Sequence, residues 1–201
     1  MKKRLSVCFV VMLIIAYFVP FAVSASEPSI AEENTVYTDI EEFIANKSYY
    51  DALILQGIGV GVSVGDEYSD AEVERLLGLP GSVNKSADFS TWGTSQPTEV
   101  YNVHTGPNYE IESTTAEFSI IYSNVKFTGC TLYVINVFNY DYNNTLEMIV
   151  YGTKNGTARY TAQPRYYLYQ PVRTNSSSDT FFFAFSPICN TAGYVSCCPA
   201  Q

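Results

Sequence analysis

The C-terminal half of the chain alternates short apolar segments with polar turns, and this pattern restricts the possible folds more than any other feature. From Thr98 onward the segments are rich in β-branched and aromatic residues, and turn residues recur about every 8–12 positions. The pair Asn155-Gly156 favours a two-residue type I′ hairpin turn between Leu146–Thr153 and Thr157–Ala162. We therefore predict a mainly β protein, an antiparallel β-sandwich of the Ig-like or jelly-roll-like kind. The other strands are expected at Val100–His104, Ile111–Ile121, Val125–Phe127, Thr131–Tyr140, Arg165–Val172, Phe181–Phe185 and Gly193–Cys198.

Charge divides the chain into two parts near Pro80-Gly81, a turn sequence that suits a domain boundary. Residues 26–80 carry a net charge of −10, whereas residues 81–201 carry −2. We expect a small, acidic, partly helical segment at 26–80, either an appendage or a pro-region. A link at 81–97 and the β-sandwich domain at 98–201 should follow it. The excess of acidic residues argues against nucleic-acid partners, which attract Lys and Arg.

Two helices are predicted within the acidic segment from the sequences at their N-termini. Thr38–Glu41 has the spacing of a capping box, in which a hydroxyl and a carboxylate satisfy the first backbone N–H groups. Behind this box, one apolar stripe is formed by Ile40, Phe43 and Ile44. Ser69–Glu72 is a second box, and Gly78 should end its helix in a left-handed conformation.

The first 25 residues have the three parts of a secretory signal peptide. A positive start at Lys2–Arg4 precedes the apolar stretch Leu5–Val23, and small residues place the expected cut after Ala25. An uncleaved membrane anchor is the alternative, but Pro20 would break such a helix. We therefore expect residues 1–25 to be removed. The mature chain should be secreted or extracytoplasmic, with no stable membrane anchor.

Between the two helices, Gly57–Gly65 alternates glycine or serine with Ile or Val. In a strand this leaves one face almost without side chains, which predicts the close approach of another element. Gly61–Gly65 also matches G-x-S-x-G, so a small serine hydrolase using Ser63 and the only histidine, His104, is an alternative function. Too few residues precede Ser63 to build the parallel strands of such a site, and catalysis is not the leading hypothesis. Insertion of the glycine-rich segment into a membrane is a third alternative.

The chain is rich in aromatic residues, with 17 tyrosines and 12 phenylalanines. Three of the tyrosines, Tyr166, Tyr167 and Tyr169, lie on one predicted strand and point to both of its faces. An exposed tyrosine offers a sugar an apolar ring and a hydrogen-bonding tip. The pattern therefore makes these three residues candidates for stacking on a carbohydrate. Ordinary packing of aromatic residues in a sheet explains the same pattern.

Four cysteines remain after the predicted cleavage, and an even number in an exported chain indicates disulfides. They are Cys130, Cys189, Cys197 and Cys198. A bond between the neighbours Cys197 and Cys198 would close a strained ring, so we expect Cys130 to pair with one or the other. The sequence contains no C-x-x-C pair and no phosphate-binding loop, and we predict neither a metal site nor a cofactor.

The leading hypothesis from the sequence is a secreted, non-enzymatic protein that acts by binding. Its ligand is expected to be extracellular, either a carbohydrate or a protein. This hypothesis follows from the export pattern, the β-rich composition and the lack of a convincing catalytic constellation in the sequence.

Overall fold

The computed structural model describes residues 34–79, 95–113, 120–185 and 190–198. Strands predominate in these residues, so the predicted mainly β class is confirmed. In chain order the strands are β1 (Thr35–Asp39), β2 (Gly59–Ser63), β3 (Glu99–Asn102), β4 (Tyr109–Ser113), β5 (Ile121–Tyr122), β6 (Val125–Thr128), β7 (Leu132–Asn139), β8 (Leu146–Thr153), β9 (Gly156–Ala162), β10 (Tyr166–Arg173), β11 (Phe182–Phe185) and β12 (Thr191–Cys197). The helices are α1 (Ile40–Ala45), α2 (Lys47–Leu55) and α3 (Asp70–Leu77).

The strands are arranged in one six-stranded sheet, one four-stranded sheet and a two-stranded ribbon. The six-stranded sheet has the order β1-β2-β10-β7-β12-β4 and is mixed, because β1 and β2 are parallel while the other neighbours are antiparallel. The four-stranded sheet, β5-β11-β8-β9, is antiparallel, and the ribbon pairs β3 with β6 in parallel. The single strand predicted at 111–121 is divided, since β4 belongs to the larger sheet and β5 to the smaller one.

The two larger sheets share one apolar core. Alternate residues of β8 point into it, and Leu146, Met148 and Val150 are all fully buried. From the other sheet, β7 contributes Ile135 and Val137 to the same core. Burial of each such side chain stabilises the fold by about 1.5–3 kcal/mol, so this core contributes much of the folding free energy.

Helices cover part of the opposite face of the six-stranded sheet and form a second apolar cluster with it. Val60 and Val62 of β2 are fully buried there, together with Tyr167 of β10. On the helical side, α1 contributes Phe43 and α3 contributes Leu77. The described part of the acidic segment therefore supplies both an edge of the sheet and the helices that pack on it.

The pairing of β2 with β10 links the two parts that charge separates in the sequence. In this antiparallel pair, Ser63 lies opposite Tyr166 and Val60 lies opposite Tyr169. The described part of the predicted 26–80 segment is thus built into the same sheet as the predicted 98–201 domain. The predicted signal peptide at 1–25 and most of the predicted link at 81–97 lie outside the described residues.

The N-cap of helix α1 lies one residue after the N-cap that the predicted capping box implies. Asp39, and not Thr38, is the N-cap, and its carboxylate accepts a backbone N–H of the first turn. Ile40 and Phe43 are buried as the apolar stripe predicts, but Ile44 is 45% exposed. The helix has only six residues and turns one narrow side to the sheet, so the third position of the stripe faces solvent.

Helix α3 confirms the second capping box. The Ser69 N–H donates to the carboxylate of Glu72, a residue of the first helical turn, at 2.9 Å. Gly78 follows the last helical residue with a φ of 67°, the left-handed stop that the sequence predicts.

The hairpin between β8 and β9 forms at the predicted position but not with the predicted turn. A type I′ turn needs positive φ at both central residues. Gly156 has a φ of 98°, whereas Asn155 is not among the residues with positive φ. The register shifts between Tyr151 and Thr153, where Gly152 has a φ of 83°. This irregularity adds a residue to β8 and changes the geometry with which the strand enters the turn.

Candidate ligand-binding surface

The structure buries two of the three tyrosines that are candidates for stacking on a ligand. Tyr167 is 0% exposed and Tyr169 is 8% exposed, because both point to the face that the helices cover. Tyr169 stacks on Phe43 of α1, with 5.1 Å between the ring centroids. Burial raises the pKa of both phenols. Tyr167 and Tyr169 are therefore core residues, and the stacking role predicted for them does not fit their burial.

Tyr166 points to the other face and meets a tyrosine of the edge strand β1. Tyr37 is 55% exposed, and its ring makes an edge contact with Tyr166 at a centroid distance of 6.0 Å. The Tyr37 ring also lies over Gly61, with its Cδ1 and Cε1 atoms 2.6 Å from the point where a β-carbon on Gly61 would lie. Gly61 thus leaves room for this ring, and Gly59 leaves room for the side chains of Gln170 and Thr35, so this face of β2 is covered by its neighbours.

A hydroxyl lies beside the two rings. Ser63 is half-buried and pairs in register with Tyr166 on one side and with Asp39 on the other. Because side chains alternate along a strand, Tyr37, Ser63 and Tyr166 share one face of the sheet. We call these three residues the edge platform. Asp39 lies on the same face beside Ser63, and its carboxylate caps α1.

The edge platform lies where the larger sheet extends past the smaller one. The smaller sheet ends at β9, which packs against β10 and β7, while β1 and β2 continue the larger sheet beyond β10. The platform combines two aromatic rings with hydroxyl groups, and the exposed carboxylate of Asp39 borders it. Because the surrounding 26–80 segment has a net charge of −10, an anionic ligand would be repelled. The surface therefore suits an uncharged ligand with apolar faces and hydroxyl groups.

The structure does not bring Ser63 and His104 together. Ser63 lies at the level of Tyr166 in β10, whereas Cys197 pairs with Tyr133 and so lies at the level of residue 172. The imidazole of His104 is within 4.8 Å of the Cys197 sulfur. Six residues along a strand correspond to about 20 Å, far beyond the hydrogen bond that a serine and its base require.

The backbone at Ser63 also differs from that of a nucleophilic serine. A nucleophile elbow is a sharp, strained turn between a strand and a helix. Ser63 instead lies within β2 and is paired on both sides. In the described residues the one non-glycine residue with positive φ is Arg165. Both glycines of the G-x-S-x-G match have structural explanations, since Gly61 lies under Tyr37 and Gly65 has a φ of 67°.

The glycine-rich segment has a structural role in the sheet that competes with insertion into a membrane. Val60 and Val62 are fully buried, and β2 is hydrogen-bonded to both β1 and β10. Insertion would require these pairings to be broken. Among the helices in the described residues, none combines the length and the apolar character needed to cross a bilayer.

One of the two predicted partners of Cys130 is found. Cys130 and Cys197 form a disulfide with 6.0 Å between their Cα atoms and a sequence separation of 67 residues. Cys198 is half-buried and has no disulfide partner among the described residues, and Cys189 lies outside them. Burial raises the pKa of the Cys198 thiol, which makes it a weaker nucleophile at neutral pH.

Tyr37 is the residue of this surface that the sequence does not single out. It follows Val36 in a five-residue edge strand that ends in a helix cap, and so short a strand gives little periodicity to detect. The glycine pattern of β2 predicts that some element approaches, without naming it. Parallel pairing of Tyr37 with Gly61 is the contact that identifies the element.

Comparison of the chain with protein-family models, curated proteins and solved structures finds no match. The function is therefore inferred from the edge platform and from the chemistry of the chain.

Proposed function

We propose that the chain is a secreted, non-enzymatic protein with a β-sandwich architecture that binds a carbohydrate at the edge platform. The sandwich assignment, of an Ig-like or jelly-roll-like kind, is supported by two sheets that share one apolar core. Secretion is supported by the N-terminal sequence and by the Cys130–Cys197 disulfide, since disulfides persist in oxidising compartments.

The observation that carries the carbohydrate proposal is the exposed ring of Tyr37, held in place over Gly61 and against Tyr166. A ring with restricted freedom loses little conformational entropy when a ligand stacks on it. The hydroxyls of both tyrosines and of Ser63 can exchange hydrogen bonds with a sugar. The combination gives an uncharged polyol both an apolar contact and polar partners.

The first experiment is a glycan array with the purified wild-type protein, followed by titration calorimetry with the best ligand. Replacement of Tyr37 by alanine should weaken binding by about tenfold or more, because about 1.4 kcal/mol of contact energy is lost. Tyr49→Ala is the matched control, since Tyr49 is 59% exposed on α2 and does not belong to the platform. The control should bind like the wild type, and both variants should keep the same melting temperature.

Two outcomes contradict the carbohydrate proposal. Equal affinities of Tyr37→Ala and the wild type would place the ligand on another surface. A wild-type protein that binds no glycan, but captures a protein from its native surroundings through Tyr37, would assign the edge platform to a protein partner instead.

A further inference from the structure

Three side chains of types that can bind metals meet at the end of the sheet opposite the edge platform. The ligand atoms of His104, Cys130 and Cys197 all lie within 4.8 Å of one another. His104 is exposed, Cys197 is half-buried and Cys130 is 8% exposed, so the cluster opens to solvent on the histidine side. One imidazole and two sulfur atoms form a donor set that suits Zn²⁺.

Backbone contacts hold His104 against the cysteines. The Val103 N–H donates to the last carbonyl of β6 at 3.0 Å, which ties the histidine turn to that strand. Gly129, with a φ of 109°, permits the approach of this turn, since a β-carbon there would overlap the side-chain oxygen of Asn102 and lie 3.1 Å from the β-carbon of His104. On the other side of the cluster, the Cys130 N–H donates to the Tyr133 hydroxyl at 2.8 Å. These contacts position His104 and Cys130, and the pairing of Cys197 with Tyr133 positions the third member of the cluster.

Metal binding requires the two sulfurs as thiolates, and the disulfide withholds them. A trialkylphosphine breaks the Sγ–Sγ bond by donating two electrons from its lone pair. Water supplies the oxygen of the resulting phosphine oxide and the two protons of the new thiols. A metal ion that then binds both sulfurs releases these two protons.

The Cα spacing of the two cysteines is compatible with a tetrahedral zinc site after reduction. Two sulfurs bound to one Zn²⁺ at about 2.3 Å lie about 3.8 Å apart. The Cα atoms of Cys130 and Cys197 are 6.0 Å apart, so small side-chain rotations can provide this spacing. His104 supplies the third ligand from the exposed side.

We propose that His104, Cys130 and Cys197 form a redox-controlled metal site. The oxidised protein holds the disulfide, and the reduced protein binds one Zn²⁺ through two thiolates and the imidazole. Three protein ligands leave the fourth tetrahedral position open to water or an external ligand. In the reduced state zinc replaces the disulfide as the link between β12 and the loop before β7. The site is independent of the carbohydrate proposal, because the edge platform is about 20 Å away along the sheet.

The test uses tag-free protein, because His104 is the only histidine in the chain. The protein is reduced anaerobically with a trialkylphosphine and titrated with Co²⁺, whose thiolate charge-transfer band reports sulfur coordination. We expect one equivalent of Co²⁺ to bind to the reduced protein, and Zn²⁺ to displace it. The oxidised protein should not develop the band.

Variants identify the ligands. Reduced His104→Ala should bind Co²⁺ at least about tenfold more weakly, since even the loss of an outer-shell partner costs 10–100-fold. Thr105→Ala changes the next exposed side chain of the same turn and should bind like the wild type. A double variant, Cys189→Ala with Cys198→Ala, should also keep the site.

The proposal is overturned if the oxidised and reduced proteins bind Co²⁺ equally, or if His104→Ala binds like the wild type. Loss of binding in the Cys189→Ala, Cys198→Ala protein would assign the metal to other thiols and would overturn it as well. If reduction unfolds the chain, Zn²⁺ must restore the native circular dichroism of the wild type but not that of His104→Ala. Failure of zinc to do so also counts against the site.

Discussion

At the scale of single residues, Arg165 joins the acidic segment to the β-rich part of the chain. Its side chain is 3% exposed and donates to the Asp70 carboxylate at 2.5 Å and to the Tyr68 carbonyl at 2.8 Å. The guanidinium also lies over the rings of Phe138 and Tyr142, at 5.2 and 4.8 Å from their centroids. A buried charge needs such partners, because an unpaired one strongly destabilises the folded state.

The backbone of Arg165 is held in an unfavourable conformation. Its φ of 59° is the left-handed value that costs an ordinary residue about 1–2 kcal/mol. Two backbone hydrogen bonds impose it: the Arg165 N–H donates to the Asp141 carbonyl at 3.1 Å, and the Arg165 carbonyl accepts the Val64 N–H at 3.0 Å. The contacts of the guanidinium offset the cost of this conformation.

Substitutions of Arg165 should separate the stabilisation by its side-chain contacts from the cost of its positive φ. We expect Arg165→Gly and Arg165→Ala both to lose about 2 kcal/mol or more of unfolding free energy, since Asp70 and Phe138 lose their partner. Glycine adopts positive φ without a β-carbon penalty, so Arg165→Gly should be more stable than Arg165→Ala by about 1 kcal/mol. Urea denaturation measures both differences.

Arg165→Lys serves as the control for charge, because lysine keeps the positive charge but lacks the planar fork that meets two acceptors and two rings. It should be less stable than the wild type. Equal stabilities of the Gly and Ala variants would show that residue 165 is not held at positive φ in solution.

At the scale of elements, two strand glycines meet different neighbours. Gly61 of β2 lies under the exposed side chain of Tyr37. Gly193 of β12 lies against the backbone carbonyl of Asn136 in β7, and a β-carbon there would overlap that oxygen. A side chain at the surface can rotate away from an added methyl group, whereas a strand in the middle of a sheet cannot.

We therefore expect the same substitution to destabilise the protein strongly at Gly193 and weakly at Gly61. Gly193→Ala should destabilise the protein by about 3 kcal/mol or more, or prevent folding, because overpacking here displaces a paired strand. Gly61→Ala should cost less than about 1 kcal/mol but displace Tyr37 and weaken ligand binding. Thermal melts and the loss of the Tyr37–Tyr166 contact in NMR spectra would check this. A Gly61→Ala protein that is as unstable as Gly193→Ala would contradict it.

The elements that the sequence predicts well are those set by local interactions. The strands β7, β8, β9 and β10 are found within one or two residues of their predicted bounds, because periodicity and turn residues lie within each segment. The sequence does not predict β1 or α2. β1 is five residues long, and its partner, β2, follows two intervening helices. Pairing over such a separation depends on tertiary packing and leaves only a weak local pattern.

The candidate site is less predictable than the strands. The alternation of Tyr166, Tyr167 and Tyr169 shows that they occupy both faces, but not which face the helices cover. That choice depends on how Phe43 and its neighbours pack, and it buries Tyr167 and Tyr169. The disulfide partner of Cys130 could be narrowed to two neighbours by elimination. The choice of Cys197 then follows from the register of β12 against β7.

At the scale of the whole molecule, β10 joins the two apolar clusters. Leu168 faces the core between the sheets, whereas Tyr167 and Tyr169 face the helices. β2 is also the neighbour of β10 on one side, so the described residues 34–79 cover one edge and part of one face of the sheet. Removal of this segment would expose an unpaired edge strand and several aromatic side chains, a combination that favours aggregation.

This arrangement predicts the behaviour of a chain that is cut between its two parts. A specific protease site inserted between Leu79 and Ser95 should be cleaved without separating the pieces. The two fragments should elute together in size-exclusion chromatography and come apart only in denaturant, because the β2–β10 pairing and the helical cluster remain.

Residues 95–201 expressed alone should aggregate or bind a hydrophobic dye. If the acidic segment were instead an appendage to an independent β-domain, as the charge pattern of the sequence predicts, this fragment would stay soluble and folded. A monomeric 95–201 fragment that melts at the temperature of the intact protein would establish that division and would make the segment before it removable.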